Sequence, residues 1–536
     1  MERRFIAAFI LITLLTFFMR ALPLLKSKFI DSETMAAVLI MKQTIDNNYT
    51  IGPDPLSSFP THPYVFAEQG IIYLAVLPYR MLHFLGLFGT MYLIKALFLI
   101  LGVVTVYFFS KRISSSTYAG LLGMLFYAVS QVGIFTEAFN RWKGDVFVPV
   151  LLVFSVLVLL HLIETPREQK GLRLLMLAML LLSLLFSTLL WNGGLYADAA
   201  FGFAVLALFL EGHTRYFRNS ALILAAIIAA GWMLIAFTQL HNTIGLGPLT
   251  MPQLNYTASQ LVQMLGQVEP LAYQTALLYN TVYYPFWIFV GFLGSFAILF
   301  ITILRFQFPT HGRSERRAYV AALSLLLFGI PLAILLSRFN SLIFMEIAIL
   351  SGSSFGLLGS ATSRKLLLGL LLVVVPLTVL FAAYQILTTP EYAGISSQFH
   401  SQLLWVKQNT PHNATFLSLD GDGTAIQYWA NRTTYTDTNL ADNVTRIEAF
   451  YTFLNARAGN FTYLQRIKPD YLLLHQLPKI QEFEGSNLQY LIEWAFNPNP
   501  EFSYNGVHFT LVYANFSLAK QADRILLYEL SYINAT

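Results

Sequence analysis

Long apolar stretches separated by short polar segments run through the first 390 residues. Each is close to the roughly 20 residues that an α-helix needs to cross the hydrocarbon core of a membrane. These stretches lie at 5–19, 88–110, 117–135, 146–163, 173–190, 195–210, 220–238, 285–304, 319–336, 341–360 and 366–387. Segment 70–86 is also apolar but contains Pro78, Arg80 and His83, so it is either a span or a helix on the membrane surface. The pattern predicts a mainly α, polytopic bundle of 11–13 transmembrane helices.

The pattern changes after Pro390, where short apolar runs alternate with polar turn signals. The runs TFLSLDGDGTAIQYWA, DYLLLHQL, HFTLVYA and RILLYELS are typical of short strands, and 394–408 of a helix. We therefore expect two domains. Residues 1–388 form the transmembrane domain, with large exterior loops near 20–87 and 239–284, and residues 389–536 form a globular α/β domain.

Composition excludes a soluble protein. Only 11% of the residues are charged and 56% are hydrophobic, whereas soluble domains carry about 25% charged residues. The chain has no cysteine, which excludes disulfides, thiolate catalysis and cysteine-ligated metals. A P-loop, a Gly-x-Ser-x-Gly motif and a dinucleotide fingerprint are also missing from the sequence.

Basic residues set the expected orientation, because they cluster in cytoplasmic loops. The clusters fall on alternate loops: Arg3 and Arg4; Lys111 and Arg112; Arg167, Lys170 and Arg173; Arg215 and Arg218; Arg305, Arg313, Arg316 and Arg317; and Arg364 and Lys365. We expect a multi-pass cell-membrane protein with a cytoplasmic N-terminus, a retained first span and an extracytoplasmic C-terminal domain. All eight Asn-x-Ser/Thr sequons lie in segments predicted to be outside: Asn48, Asn255, Asn413, Asn431, Asn443, Asn460, Asn515 and Asn534.

Four exterior segments carry candidate chemistry. They contain Asp31 in FIDSETM, Asp145 with Arg141 and Lys143 in FNRWKGDVF, Glu269 in GQVEPLAY, and Arg338 in SRFNSLIF. Each has a structural alternative: a helix cap, a local ion pair, a helix boundary and an interfacial anchor, respectively. Carboxylates that converge from separate loops could instead bind a hard divalent cation such as Mg or Mn, and a nearby cation suits a phosphate leaving group.

A stretch in the C-terminal part, WVKQNTPHNATFLSLDGDGTAIQYWANRTTYTDTN (405–439), resembles the catalytic subunit of oligosaccharyltransferase in its single-subunit archaeal and bacterial forms. The positions that match in order are Trp405, Asn409, Thr410, Pro411, Asn431, Arg432, Thr433, Thr434 and Asp437. The later strand IKPDYLLL is also similar. In the membrane part FIDSETM, DPLSSFP, FNRWKGD, WNGGLY, VEP and SRF resemble family motifs in the same order.

The resemblance implies a GT-C membrane glycosyltransferase that transfers a glycan, with inversion, from a polyprenyl- or dolichyl-linked (pyro)phosphate to Asn in sequons of exported polypeptides. It implies Asp31 and Glu269 as catalytic residues and Asp31, Asp145 and Glu269 as metal ligands. It further implies Arg338, Arg141 and Lys143 as donor phosphate ligands. The acceptor-binding segment would be Leu419, Asp420, Gly421, Asp422 and Gly423.

The sequence departs from the family pattern in two places. LDGDG (419–423) replaces WWDYG, the motif that grips the Ser or Thr of the sequon, and Asp145 is not followed by the second acid of its motif. Glu33, Glu137 or Asp198 are candidates to complete the metal site. Two alternatives stay open: a related transferase that acts on a lipid or Ser/Thr acceptor, and a catalytically degenerate paralogue with a binding role.

Overall fold

The computed structural model divides the chain into two compact units, residues 1–26 with 68–392, and residues 27–67 with 393–536. The described residues are 3–25, 32–51, 69–130, 133–134, 137–190, 194–211, 312–335, 340–356, 369, 376–377, 379–380, 383–384, 397–418, 420–435, 450, 452–454, 456–475, 485–495, 501–504, 506–515 and 525–532. The predicted spans at 220–238 and 285–304 lie outside them.

The first unit is built from long apolar helices. In chain order they are α1 Arg3–Ala21, α3 Gln69–Leu82, α4 Gly86–Ser114, α5 Thr117–Val129, α6 Gly144–Glu164, α7 Lys170–Leu190, α8 Gly194–Glu211, α9 Arg313–Leu335 and α10 Asn340–Gly356. Within the described residues, four helical stretches are long and apolar enough to cross a membrane: Arg3–Leu25, Gly70–Ser114, Gly144–Glu164 and Lys170–Leu190. The predicted multi-span α-helical class is therefore confirmed. The ambiguous segment 70–86 belongs to the second of these stretches.

Exposed leucines show which helix faces meet lipid. On α7, the side chains of Leu174, Leu181 and Leu185 are exposed. Such a surface is unfavourable in water and is suited to contact with lipid. Buried faces use small residues instead. A Cβ on Gly352 of α10 would collide with the backbone of Gly123 on α5, so glycine at these positions allows the two helices to pack closely.

The second unit combines the segment after α1 with the C-terminal part. Its helices are α2 Ser32–Asp46, α11 Ser397–Asn409, α12 Asp420–Ala425, α13 Thr462–Ile467 and α14 Asn487–Ala495. Its strands are β1 Thr415–Leu417, β2 Thr433–Thr434, β3 Tyr471–His475, β4 Glu501–Tyr504, β5 Val507–Asn515 and β6 Ile525–Tyr532.

These strands form one mixed sheet in the order β2-β1-β3-β6-β5-β4. The β1 strand pairs in parallel with β2 and β3, whereas β3–β6, β6–β5 and β5–β4 are antiparallel. All five residues of β3 are buried, as expected for a central strand covered on both faces. The predicted α/β character of this part is confirmed, and α11 lies at the predicted helix 394–408.

One local prediction is wrong. Only the start of the run TFLSLDGDGTAIQYWA is a strand, β1, whereas from Asp420 it is an α-helix that continues as a π-helical turn over Ile426–Ala430. Because α2 and α11 both pack against this run, tertiary contacts override the strand preference of its Ile, Tyr and Trp residues. Such π turns occur frequently at functional sites.

Candidate active site

A buried ion pair anchors the loop that precedes Asp145. Arg20, near the end of α1, donates to Glu137 Oε2 through Nε at 3.2 Å and Nη2 at 3.1 Å. The same guanidinium donates to the carbonyl oxygens of Tyr127 and Ala128 at the end of α5. The Tyr127 hydroxyl completes the network by donating to Glu137 Oε1 at 2.7 Å. Burial raises the pKa of Glu137, although the Arg20 charge opposes the shift.

Three further side chains fix the same loop. The Lys95 ammonium, buried on α4, donates to the carbonyl oxygens of Ala138 and Arg141. Trp142 Nε1 donates to the carbonyl oxygen of Ile71 at 3.1 Å, and Asn140 Nδ2 donates to that of Pro23 at 3.2 Å. Buried polar contacts therefore link the loop to α1, α3, α4 and α5, and they hold the segment before Asp145 in place.

Asp145 lies in the first turn of α6, where the helix dipole favours a negative charge. Its Oδ2 accepts a hydrogen bond from Arg141 Nη2 at 2.7 Å, and the two residues are only 5% and 7% exposed. The local ion pair considered for this segment is therefore present, but it is buried and does not lie in a solvated loop. Asp145 Oδ1 is buried and accepts no hydrogen bond from any described residue. A buried carboxylate oxygen of this kind fits a metal ligand, because burial without a partner is costly.

The other members of the predicted centre fall largely outside the described residues. These are Asp31, Glu269, Arg338 and Leu419. Arg141 and Lys143 lie beside Asp145 in sequence, and the Lys143 side chain is half-buried. In the described part of the chain no three His, Asp or Glu side chains form a metal-binding group. The convergence of the acids therefore stays a prediction.

The carboxylates considered as substitutes have other partners. Both oxygens of Glu137 are hydrogen-bonded to Arg20 or Tyr127, so this residue serves as a structural anchor. Asp198 Oδ1 accepts a hydrogen bond from Ser187 at 2.7 Å, which links α8 to α7. Glu33 is the second residue of α2, but its side chain lies outside what the structure describes.

In the predicted acceptor-binding segment, Asp422 has a partner that the sequence did not suggest. His475, the last residue of β3, has its Nδ1 at 2.9 Å from Asp422 Oδ1. The Phe399 ring stacks on the imidazole, with 3.8 Å between ring centroids. The contact fixes one oxygen of Asp422, and His475 was missed because a histidine at the end of an apolar strand carries no distinctive pattern.

Arg432, in the stretch 405–439 that resembles the family most clearly, has a structural role. Arg432 is 4% exposed and donates hydrogen bonds to Thr410 Oγ1 and to the carbonyl oxygens of Ala430, Asn431, Lys407 and Thr410. Two of these carbonyls, those of Lys407 and Thr410, lie at the C-terminal end of α11, where helices leave carbonyls unsatisfied. The Asn-Arg-Thr segment therefore closes α11 against β2.

The α2 helix packs on the predicted acceptor-binding segment. Lys42 Nζ lies 4.5 Å from the centroid of the Tyr428 ring and 3.3 Å from its hydroxyl oxygen. Since Asp31 directly precedes α2 in the sequence, this helix leads from a predicted catalytic acid to the segment in which LDGDG replaces WWDYG.

The fold is that of the GT-C membrane glycosyltransferases. The structure of oligosaccharyltransferase AglB from Archaeoglobus fulgidus in complex with an inhibitory peptide and a dolichol-phosphate matches with a TM-score of 0.64 at 14% identity, over 99% of this chain and 76% of that chain. The A. fulgidus enzyme tethered to an acceptor peptide containing the NVT sequon matches with a TM-score of 0.64 at 14% identity, over 91% and 72%.

ArnT from Cupriavidus metallidurans, bound to undecaprenyl phosphate, matches with a TM-score of 0.53 at 11% identity, over 98% of this chain and 97% of that chain. No family model and no curated protein matches the sequence. The resemblance to the oligosaccharyltransferase catalytic subunit is thus confirmed at the level of the fold.

Proposed function

We propose that the chain is a membrane glycosyltransferase that moves a glycan from a polyprenyl- or dolichyl-linked (pyro)phosphate to the Asn of Asn-x-Ser/Thr sequons in exported proteins. The observation that carries the proposal is Asp145: a buried carboxylate, held by an anchored loop, with one oxygen that accepts no hydrogen bond from the described residues. The oligosaccharyltransferase fold over almost the whole chain supports the same reaction class.

The proposed chemistry starts from the poor nucleophilicity of a carboxamide nitrogen, whose lone pair is delocalised into the carbonyl. Asp31 and Glu269 would accept hydrogen bonds from the amide N–H groups and twist the C–N bond. Rotation about an amide bond has a barrier of about 18–20 kcal/mol, so even partial twisting localises much of the lone pair. The nitrogen then attacks the anomeric carbon directly, with inversion and without a covalent enzyme intermediate.

The donor phosphate would lie beside Asp145. A divalent cation, Mg or Mn, held by Asp31, Asp145 and Glu269 would supply charge neutralisation to the leaving phosphate. Arg338, Arg141 and Lys143 would bind the same phosphate oxygens through their N–H groups. Since Arg141 is paired with Asp145, we expect it to act mainly by orienting that carboxylate.

The acceptor-binding segment favours a second candidate function, transfer to a hydroxyl of a lipid or of Ser/Thr. Asp422 is engaged by His475, and the tryptophans of the family motif are missing from Leu419, Asp420, Gly421, Asp422 and Gly423. A GT-C relative whose structure contains undecaprenyl phosphate also matches nearly the full chain.

Acceptor competition separates the two functions. The purified chain is incubated with a lipid extract of its native membranes and with a fluorescent Asn-x-Thr peptide, and transfer is measured by gel shift and mass spectrometry. Gln-x-Thr and Asn-x-Ala peptides are the matched controls, and a Ser/Thr-rich peptide without Asn tests the rival. We expect transfer to Asn-x-Thr alone. Modification of the hydroxyl peptide or of endogenous lipid, with Asn-x-Thr unmodified, would overturn the proposal in favour of the rival.

A further inference from the structure

The turn that follows α2 presents an asparagine outward. Asn47 Nδ2 donates to the carbonyl oxygen of Thr50 at 3.1 Å, and Thr50 Oγ1 donates to that of Asn47 at 2.7 Å. Tyr49 N donates to the carbonyl oxygen of Thr44 at 2.7 Å. Asn48 is exposed, has a φ of 52°, and makes no side-chain hydrogen bond to the described residues. Asparagine tolerates this left-handed conformation better than most residues.

Asn48 is also the first residue of a sequon, Asn-Tyr-Thr, and its setting differs from the other described sequons. In those that start at Asn413, Asn431 and Asn460 the middle residue belongs to the protein interior: Ala414, Arg432 and Phe461 are 3%, 4% and 0% exposed. In the Asn48 sequon the first and third residues are exposed and the middle one is half-buried. A transferase needs the three residues to leave the surface together, so burial of the middle residue opposes modification of the folded chain.

Side-chain hydrogen bonds also hold residues of these three sequons in the folded structure. Asn431 Nδ2, the atom that would bond to the sugar, is 3.2 Å from His412 Nε2. Thr415, the third residue of the Asn413 sequon, donates to Asp470 at 2.8 Å and lies in β1. Thr462 donates to Asn460 Oδ1 at 2.9 Å within the third sequon. These contacts would have to break before those sequons could enter an active site. In the Asn48 sequon the Thr50 hydroxyl must likewise leave the Asn47 carbonyl, but Asn48 itself is exposed and the middle residue is not fully buried.

The geometry points to Asn48 as an N-glycosylation site, which makes the chain itself an acceptor in the reaction class proposed above. The inference rests on that proposed function and on an extracytoplasmic second unit. A bond forms between Asn48 Nδ2 and the anomeric carbon of a glycan on a polyprenyl or dolichyl (pyro)phosphate donor. The carbon–oxygen bond to phosphate breaks, the phosphate keeps the electron pair, and the amide proton leaves to a carboxylate of the transferase.

The length of α2 assigns this reaction to another copy of the enzyme. Asp31, a predicted catalytic residue, directly precedes Ser32, and Asn48 comes two residues after Asp46, so the 15 residues of α2 and Asn47 separate them. A helix of that length extends about 22 Å at about 1.5 Å per residue. Reacting atoms must approach within about 3.5 Å, so a copy cannot place its own Asn48 beside its own Asp31 while α2 is folded.

Mass spectrometry of the full chain purified from its native membranes tests the site. We expect a glycan on the peptide that contains Asn48, and a gel-mobility shift that Asn48→Gln and Thr50→Ala both abolish. Asn431→Gln is the matched control and should leave the shift unchanged. An unmodified Asn48 peptide, in cells whose other exported sequons carry glycans, would overturn the inference.

A tagged Asp145→Asn copy tests modification by another copy. Co-expressed with untagged wild type, it should carry the glycan on Asn48; expressed alone in cells that lack the native chain, it should not. Loss of the glycan from the tagged copy in both backgrounds would contradict the intermolecular reaction. Transfer to peptides without glycan on Asn48 defeats this inference and leaves the proposed function intact. Glycan on Asn48 without peptide transfer supports the site and defeats the proposed function, because another transferase must then modify it.

Discussion

The Arg20–Glu137 ion pair gives the sharpest stability prediction. Among the described residues, Arg20→Met would leave the buried Glu137 carboxylate with the Tyr127 hydroxyl as its remaining hydrogen-bond donor, and the carbonyl oxygens of Tyr127 and Ala128 without the guanidinium. Removing one member of a buried ion pair typically costs about 3–5 kcal/mol. With an unfolding entropy of about 2.1 cal/mol/K per residue, a chain of 536 residues loses about 1 °C per kcal/mol, so the thermal midpoint should fall by roughly 3–5 °C.

The effect should depend on pH. Burial raises the pKa of Glu137 against the opposing effect of Arg20, so loss of Arg20 should raise this pKa further. A group whose pKa is higher in the folded than in the unfolded state favours folding at low pH, and this contribution is lost as the pH rises through the folded-state pKa. Arg20→Met should therefore be less destabilising at acidic pH than at neutral pH.

Thermal unfolding of the detergent-solubilised full chain, measured at both pH values, checks this reasoning. Arg4→Met is the matched control, because Arg4 lies on the same helix but is exposed. Arg20→Met/Glu137→Gln should recover part of the lost stability and most of the pH dependence. A midpoint for Arg20→Met within about 1 °C of the Arg4→Met control, set as a threshold of roughly 1 kcal/mol, would refute the anchoring role.

Three further predictions concern the second unit and the loop. Arg432→Lys should lower the free energy of unfolding of the full chain by about 2–4 kcal/mol, because lysine cannot replace all the hydrogen bonds to buried carbonyls; denaturant titration measures this, and a loss below about 1 kcal/mol would contradict it. His475 holds one oxygen of Asp422, so His475→Gln should change the KM for acceptor peptide more than the KM for donor lipid if Asp422 contributes to acceptor binding. Equal effects on the two KM values would contradict that role. Lys95→Met should reduce activity by misplacing the loop before Asp145, and Lys111→Met, at the other end of α4, should not; steady-state transfer rates compare the two.

The helices of the membrane unit were predictable because each is a long apolar run. The predicted spans 88–110, 146–163 and 173–190 all lie within helices of the structure. The role of Arg20 was not predictable, since a cation at the end of such a run usually indicates an interfacial anchor. Its carboxylate partner lies 117 residues away in the chain, and local pattern carries no information on that pairing.

In the C-terminal unit, too, local sequence patterns predict some elements and miss others. Strands β3, β5 and β6 follow from their apolar runs, and α11 from its periodicity. The sequence pattern does not predict that the segment from Asp420 is helical. Its contacts come from α2, nearly 400 residues earlier, and from His475. The resemblance includes Arg432 without giving it a structural role, and only the structure shows that its guanidinium binds the carbonyl oxygens at the end of α11.

The most direct test of the proposed function measures peptide glycosylation by wild type and Asp145→Asn, with and without a chelator. We expect transfer to the Asn-x-Thr peptide by wild type, its loss with EDTA and its recovery when Mn or Mg is added. Asp145→Asn, compared with wild type at equal amounts of folded protein, should lose at least about 100-fold in rate, on the order expected when a charged transition-state contact is removed. Full transfer by Asp145→Asn, or by wild type in the presence of EDTA, would contradict the account.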